Sequence, residues 1–116
     1  MKHVIHVDNS EFFRKLVKSF MAEKGLECES FEKGEDAVQA VADGRASFVI
    51  TGLELPDMGG EELLKRFITL PQKTPVIVIT SSDVAVKLNR IKALGVKAII
   101  MKTDDWKTEL GKILNI

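Results

Sequence analysis

Apolar runs of about five residues alternate with stretches of helical periodicity five times along the chain. His3–Val7 reads as a strand closed by Asp8-Asn9-Ser10. Phe12, Phe13, Leu16, Val17, Phe20 and Met21 then recur at helical spacing until Gly25. Leu26–Phe31 reads as a second strand, and a helix over Glu35–Ala42 keeps Ala37, Val38 and Val41 on one face. The third strand, Ser47–Thr51, precedes a helix over Glu61–Leu70 with Leu63, Leu64 and Phe67 inward. Pro75–Thr80 is the strongest strand, apolar and β-branched after its proline. Asp83 stands where it can cap the fourth helix, whose inner face would be Val84, Leu88 and Ile91 before Gly95 ends it. Lys97–Met101 and Trp106–Leu114 supply the last strand and helix.

Strands that are apolar on both faces and separated by helices predict a parallel sheet covered on both sides. Five βα units predict a three-layer (βα)5 flavodoxin-like sandwich of class α/β, with a parallel five-stranded sheet ordered 2-1-3-4-5. Ligands of such sheets bind beyond the carboxyl ends of the strands, at the switch point between the first and third. Asp8, Asn9, Gly52, Thr80 with Ser81, and Lys102 are delivered there. Polar residues after strands are common singly. Together, an acid, a carboxamide, hydroxyls and a lysine are the parts of a phosphate or metal site.

Composition narrows the classes. A chain of 116 residues with 45% hydrophobic and 29% charged residues is read as one domain, 1–116, with enough apolar surface for a core. A single cysteine, Cys28, excludes an internal disulfide and fits a reducing, cytoplasmic setting. Seventeen basic and seventeen acidic residues give a formal charge of zero, so no nucleic-acid or membrane surface is expected. The first residues reach Asp8 too soon for a signal peptide, and no apolar run approaches the roughly 18 residues that span a bilayer. The chain ends close after its last helix, which fits a stand-alone domain or a piece of a longer protein.

Specific runs then resemble a known family. Val7-Asp8-Asn9-Ser10 resembles the acidic doublet after the first strand of response-regulator receiver domains, with Asn9 in place of the second acid. Leu55-Pro56-Asp57-Met58-Gly59-Gly60 follows the loop after their third strand, and Thr74–Ser81 follows their fourth strand and its hydroxyl. Gly95 stands seven residues before Lys102, the family spacing. The resemblance covers the whole chain. It implies two-component phosphorelay signalling, in which an aspartate four residues before the loop proline accepts a phosphoryl group beside a magnesium ion. Here that position is Gly52.

The resemblance assigns Asp8, Asn9 and the Glu54 loop to the metal site, Thr80 and Ser81 to the switch hydroxyls, Ile99 to the aromatic switch position and Lys102 to the phosphoryl-binding lysine. Gly52 carries no oxygen to attack phosphorus. Asn9 brings no charge, so magnesium binding is expected to be weak or absent and no cofactor is expected. Thr103 stands where a proline usually follows the lysine. Lys102 then needs another counter-charge, and Asp8, helped by Thr80, is the candidate.

Other residues read more simply. Cys28 is a small core residue, His3 and His6 are surface or strand-end residues, and Glu54 is a solvated loop residue. Trp106 packs at the domain edge or on a partner, and Val86 is exposed. The reading is a non-enzymatic, non-phosphorylatable pseudo-receiver that acts on a protein: a histidine kinase, an output domain or another regulator. The fourth and fifth helices are the candidate dimer surface. The alternative is an ordinary receiver carrying an acceptor-site substitution, natural or engineered. A flavin-binding flavodoxin-like domain is a remote third reading, because Asp8-Asn9-Ser10-Glu11 is a poor phosphate cradle.

Overall fold

The computed structural model describes residues 2–103 and 105–116. Five strands, β1 (His3–Val7), β2 (Glu27–Phe31), β3 (Phe48–Thr51), β4 (Val76–Thr80) and β5 (Ala98–Met101), alternate with five helices. The helices are α1 (Glu11–Glu23), α2 (Gly34–Ala42), α3 (Gly60–Ile68), α4 (Ala85–Ala93) and α5 (Trp106–Leu114). All strand pairs are parallel, in the order β2-β1-β3-β4-β5. The expected fold class therefore holds.

Alternation along each strand divides the core in two. Ile5, Val7, Val49, Val76 and Val78 face α2, α3 and α4, where Val38, Leu64, Phe67 and Ile91 cover them. Val4, Ile50, Ile77, Ile79 and Ile100 face α1 and α5, under Phe13, Phe20, Met21, Trp106 and Leu110. β4 is buried at every residue, as its composition predicts. The edge strand β2 carries glutamates at alternate positions, which suits a strand paired on one side only.

The loop between β3 and α3 is drawn tight. Glu54 and Gly59 pair across it, and a Cβ on Gly60 would lie 2.6 Å from the Leu53 carbonyl oxygen. Only glycine permits that approach. The Asp57 carboxylate leaves the same loop to accept from the Gly34 and Glu35 N–H groups at 2.8 and 2.9 Å. Asp57 thus caps α2 from a distant part of the chain. Burial alone would raise its pKa, but the N–H groups of Glu35, Gly34 and Asp57 itself, with the nearby Lys33 charge, together outweigh it, so the pKa lies below the ordinary value.

Three expectations are corrected. His6 is wholly buried in the middle of β1, not a surface residue. Of the two readings of Trp106, packing on the domain holds and the partner surface is corrected: the ring is buried against Phe13 and Phe20 at centroid distances of 5.1 and 5.6 Å. Asp83 does not cap α4: Val84 occupies the cap position without a side-chain hydrogen bond and is 56% exposed instead of facing inward. Val86, at 70% exposure, stands out as expected.

Candidate functional site

Asp8, Asn9, Ser10, Gly52, Leu53, Glu54, Ile79, Thr80, Ser81 and Lys102 line one cleft of about 190 Å³ at the carboxyl edge of the sheet. Strand register brings them together. The Gly52 N–H bonds the Val7 carbonyl at 2.9 Å, which sets residue 52 beside Asp8. The Lys102 N–H bonds the Thr80 carbonyl at 2.9 Å, which sets the lysine at the β4 end.

Asp8 is the most constrained residue of the cleft. Its N–H donates to the Phe31 carbonyl at 3.1 Å, and its own carbonyl accepts from the Arg14 guanidinium at 2.6 Å. Its Oδ1 accepts from the Ser10 N–H at 2.8 Å, and the Ser10 hydroxyl in turn accepts from the Phe13 N–H as the cap of α1. The Lys102 ammonium donates to Asp8 Oδ1 at 3.2 Å. It also lies 3.0 Å from Oδ2, without hydrogen-bond geometry, so that second contact is coulombic. The pair is largely shielded, with side-chain exposures of 23% for Lys102 and 5% for Asp8. Shielding of this degree makes each charge depend on the other.

Lys102 has a second neighbour that periodicity alone did not single out. Its ammonium sits 4.5 Å from the centroid of the Phe13 ring, a cation–π contact. The helical spacing of Phe13 shows that it faces inward, but not that it lies beneath the lysine. Below it, His6 meets Phe13 edge-on at 6.0 Å, and among the described residues neither ring nitrogen of His6 has a hydrogen-bond partner. Burial lowers the His6 pKa from 6.5 to about 4; Asp8 opposes the shift, and Lys102 and Arg14 add to it. The imidazole is therefore neutral at pH 7.

The remaining predicted site residues are less engaged. Asn9 is exposed at the rim, and Ser81 is exposed on the β4 side. The Thr80 hydroxyl accepts from the Ser82 N–H at 3.0 Å, and no hydrogen bond among the described residues joins it to the Asp8–Lys102 pair. The expectation that Thr80 assists the pair is thereby corrected. The Glu54 side chain is 83% exposed and 3.8 Å from Lys87, as befits a solvated loop residue. Ile99 packs against the core on the α2, α3 and α4 side and does not line the cleft.

This donor set does not suit magnesium. That ion needs near-octahedral oxygen ligands. Among the described residues, no three His, Cys, Asp or Glu side chains cluster closely enough to hold a metal. Among the described residues the one buried carboxylate, Asp8, is already matched by an ammonium.

A parallel 2-1-3-4-5 sheet with an acid, a hydroxyl and a lysine at its carboxyl edge defines a receiver-like α/β domain. Residues 4–113 match the family described as the response regulator receiver domain, and the chain belongs to that family. It is 25% identical over 103 residues to the two-component response regulator ORR5 of Oryza sativa subsp. japonica, covering 86% of this chain and 77% of that one. It is 25% identical over 101 residues to the Regulator of RpoS of Escherichia coli, covering 87% of this chain but 30% of that protein. The chemotaxis response regulator CheY4 of Vibrio cholerae superposes with a TM-score of 0.87 at 26% identity, covering 99% of this chain and 98% of that one. A response regulator receiver protein of Pseudomonas putida reaches 0.90 at 19% identity, covering 98% and 95%, a likeness of fold. No helix among the described residues is long and apolar enough to cross a membrane.

Proposed function

We propose that this receiver domain is a pseudo-receiver: it takes no phosphoryl group at the end of β3 and signals by binding a protein partner. One observation supports the reading above the others. Residue 52, where the family resemblance puts the acceptor, has no side chain, and the Asp8 carboxylate lies over it in a pair with Lys102. A phosphoryl acceptor needs an oxygen nucleophile, and Gly52 supplies none. A phosphoryl group would also need the charge of Lys102, which Asp8 already neutralises.

The domain then has no catalytic step of its own. It works in the cytoplasm on a histidine kinase, an attached output domain or another regulator, with one site geometry held by the ion pair. The exposed Val84 and Val86 favour α4 as part of the partner or dimer surface, with α5 beside it.

Intact mass after incubation with a small phosphodonor and magnesium tests the reading. No phosphoryl gain is expected. A gain of one phosphoryl group on the unaltered chain would overturn it in favour of an ordinary receiver whose acceptor lies elsewhere. Repeating the measurement on Gly52→Asp shows how much of the remaining site is competent. Phosphorylation of that variant would assign the loss to residue 52 alone, and its failure would implicate Asn9 as well.

A further inference from the structure

We propose that Gly52 is a positioning residue: its missing Cβ seats the Asp8 carboxylate against Lys102, so that the site carries its own cation. The inference rests on the pseudo-receiver reading and adds a reason for glycine, as opposed to any other residue without a nucleophilic oxygen.

The backbone does not ask for glycine here. Gly25, Gly44 and Gly95 have positive φ, and Gly52 does not. Alanine could adopt the same conformation, and at such positions Gly→Ala ordinarily raises stability by restricting the unfolded chain. What asks for glycine is Asp8. A Cβ on residue 52 would lie 3.0 Å from Asp8 Oδ2 and 3.3 Å from its Cγ. Such contacts are tighter than nine in ten real Cβ contacts, so either the carboxylate or the β3 end must give by a few tenths of an ångström.

Neither moves freely. The Gly52 N–H is tied to the Val7 carbonyl at 2.9 Å, and the Thr51 hydroxyl donates to the Gly52 carbonyl at 2.7 Å. Asp8 is fixed through its N–H, its carbonyl and Oδ1. The remaining adjustment is a small rotation of the carboxylate, which disturbs the Ser10 bond at Oδ1 together with both Lys102 contacts. Gly34 makes a useful contrast. Its added Cβ would also meet Met58 Cγ and Sδ at 3.0 Å and Leu63 Cδ1 at 3.1 Å, but the unbranched Met58 side chain is flexible and can step aside.

The consequence concerns the resident charge of the site. A metal needs several oxygen ligands, whereas one ammonium tethered at the end of β5 balances one carboxylate. With the ammonium on the Asp8 carboxylate and the Phe13 ring, the cleft is neutralised by the chain itself. The geometry of the cleft is then independent of magnesium, and residue 52 controls it.

A double-mutant cycle on the full chain tests the proposal, with Gly52→Ala and Asp8→Ala followed by thermal or urea unfolding. Gly52→Ala alone is expected to lower the thermal midpoint, by on the order of 4 °C. In the Asp8→Ala background the same change is expected to raise it, because the clash is gone and the usual benefit of alanine returns. A readout specific to positioning is the side-chain ammonium resonance of Lys102. It is expected to be slowly exchanging in the unaltered chain and lost in Gly52→Ala. Asp8→Asn serves where Asp8→Ala fails to fold: it keeps the shape, so Gly52→Ala should still lower the midpoint there. A Gly52→Ala midpoint equal to or above that of the unaltered chain would overturn the proposal, as would an unchanged Lys102 resonance in that variant. The cycle uses no phosphodonor, so its failure is distinct from failure of the pseudo-receiver reading.

Discussion

α1 and α4 both begin just beyond strands that end at the cleft, yet they are held in opposite ways. α1 starts on Ser10, whose hydroxyl accepts from the Phe13 N–H, and the Asp8 carboxylate holds the Ser10 N–H in place. It buries Phe13, Val17, Phe20 and Met21. α4 starts on Val84, which offers no side-chain cap, and buries Ile91 alone. The cleft itself is therefore asymmetric: its β1 side is interlocked with an ion pair and an aromatic ring, and its β4 side leads into a lightly anchored helix. Local opening follows buried contact and capping, so α4 is where a bound partner could shift structure at small cost.

The comparison breaks most decisively at Phe13. Phe13→Ala removes a ring that touches Lys102, His6 and Trp106. A loss of about 3–5 kcal/mol in denaturant-derived stability is expected. Val86→Ala on α4 removes a side chain that is 70% exposed and should change stability by less than about 0.5 kcal/mol. Similar costs at the two positions would show that α4 is as firmly held as α1.

Acid probes the same asymmetry through His6, beneath α1. The unfolded chain takes this proton near pH 6.5 and the folded chain only near about 4, so the His6 contribution is intact above that window. It is lost as pH falls from 6.5 toward 4, by on the order of 3 kcal/mol. Unfolding midpoints across that range should therefore fall, and His6→Leu should flatten the slope. A slope unchanged in His6→Leu would mean that other groups carry it.

How far the sequence disclosed these features follows from what each signal encodes. β4 and β1 were legible because an apolar run in a parallel sheet is buried on both faces. Their helices were placed to within two residues. The burial of His6 is less legible because a histidine suggests a surface, although a position between Ile5 and Val7 in a two-sided strand demands burial. Asp83 stands one position before the cap: capping depends on which residue takes the extended cap conformation, and here that residue is Val84. The Asp8–Lys102 pairing was legible from charge balance, since a shielded ammonium needs a partner. The ring beneath it was not, because periodicity gives the face of Phe13 and not its neighbour. The carboxylate leaning over Gly52 likewise depends on side-chain rotation, which no sequence pattern encodes.

A smaller effect separates two caps. Ser10→Ala leaves the Phe13 N–H without its acceptor and should cost about 1 kcal/mol. Val84 already has the extended backbone of a cap residue, with φ −71 and ψ 108. Val84→Ser would place an acceptor at the start of α4 and should raise stability by up to about 1 kcal/mol, seen as a later urea midpoint. The substitution also removes one exposed apolar side chain. If α4 is the partner surface, a better-capped and less apolar helix should bind its partner more weakly while the domain grows more stable. Stability and binding rising together would instead place the partner surface away from this end of α4.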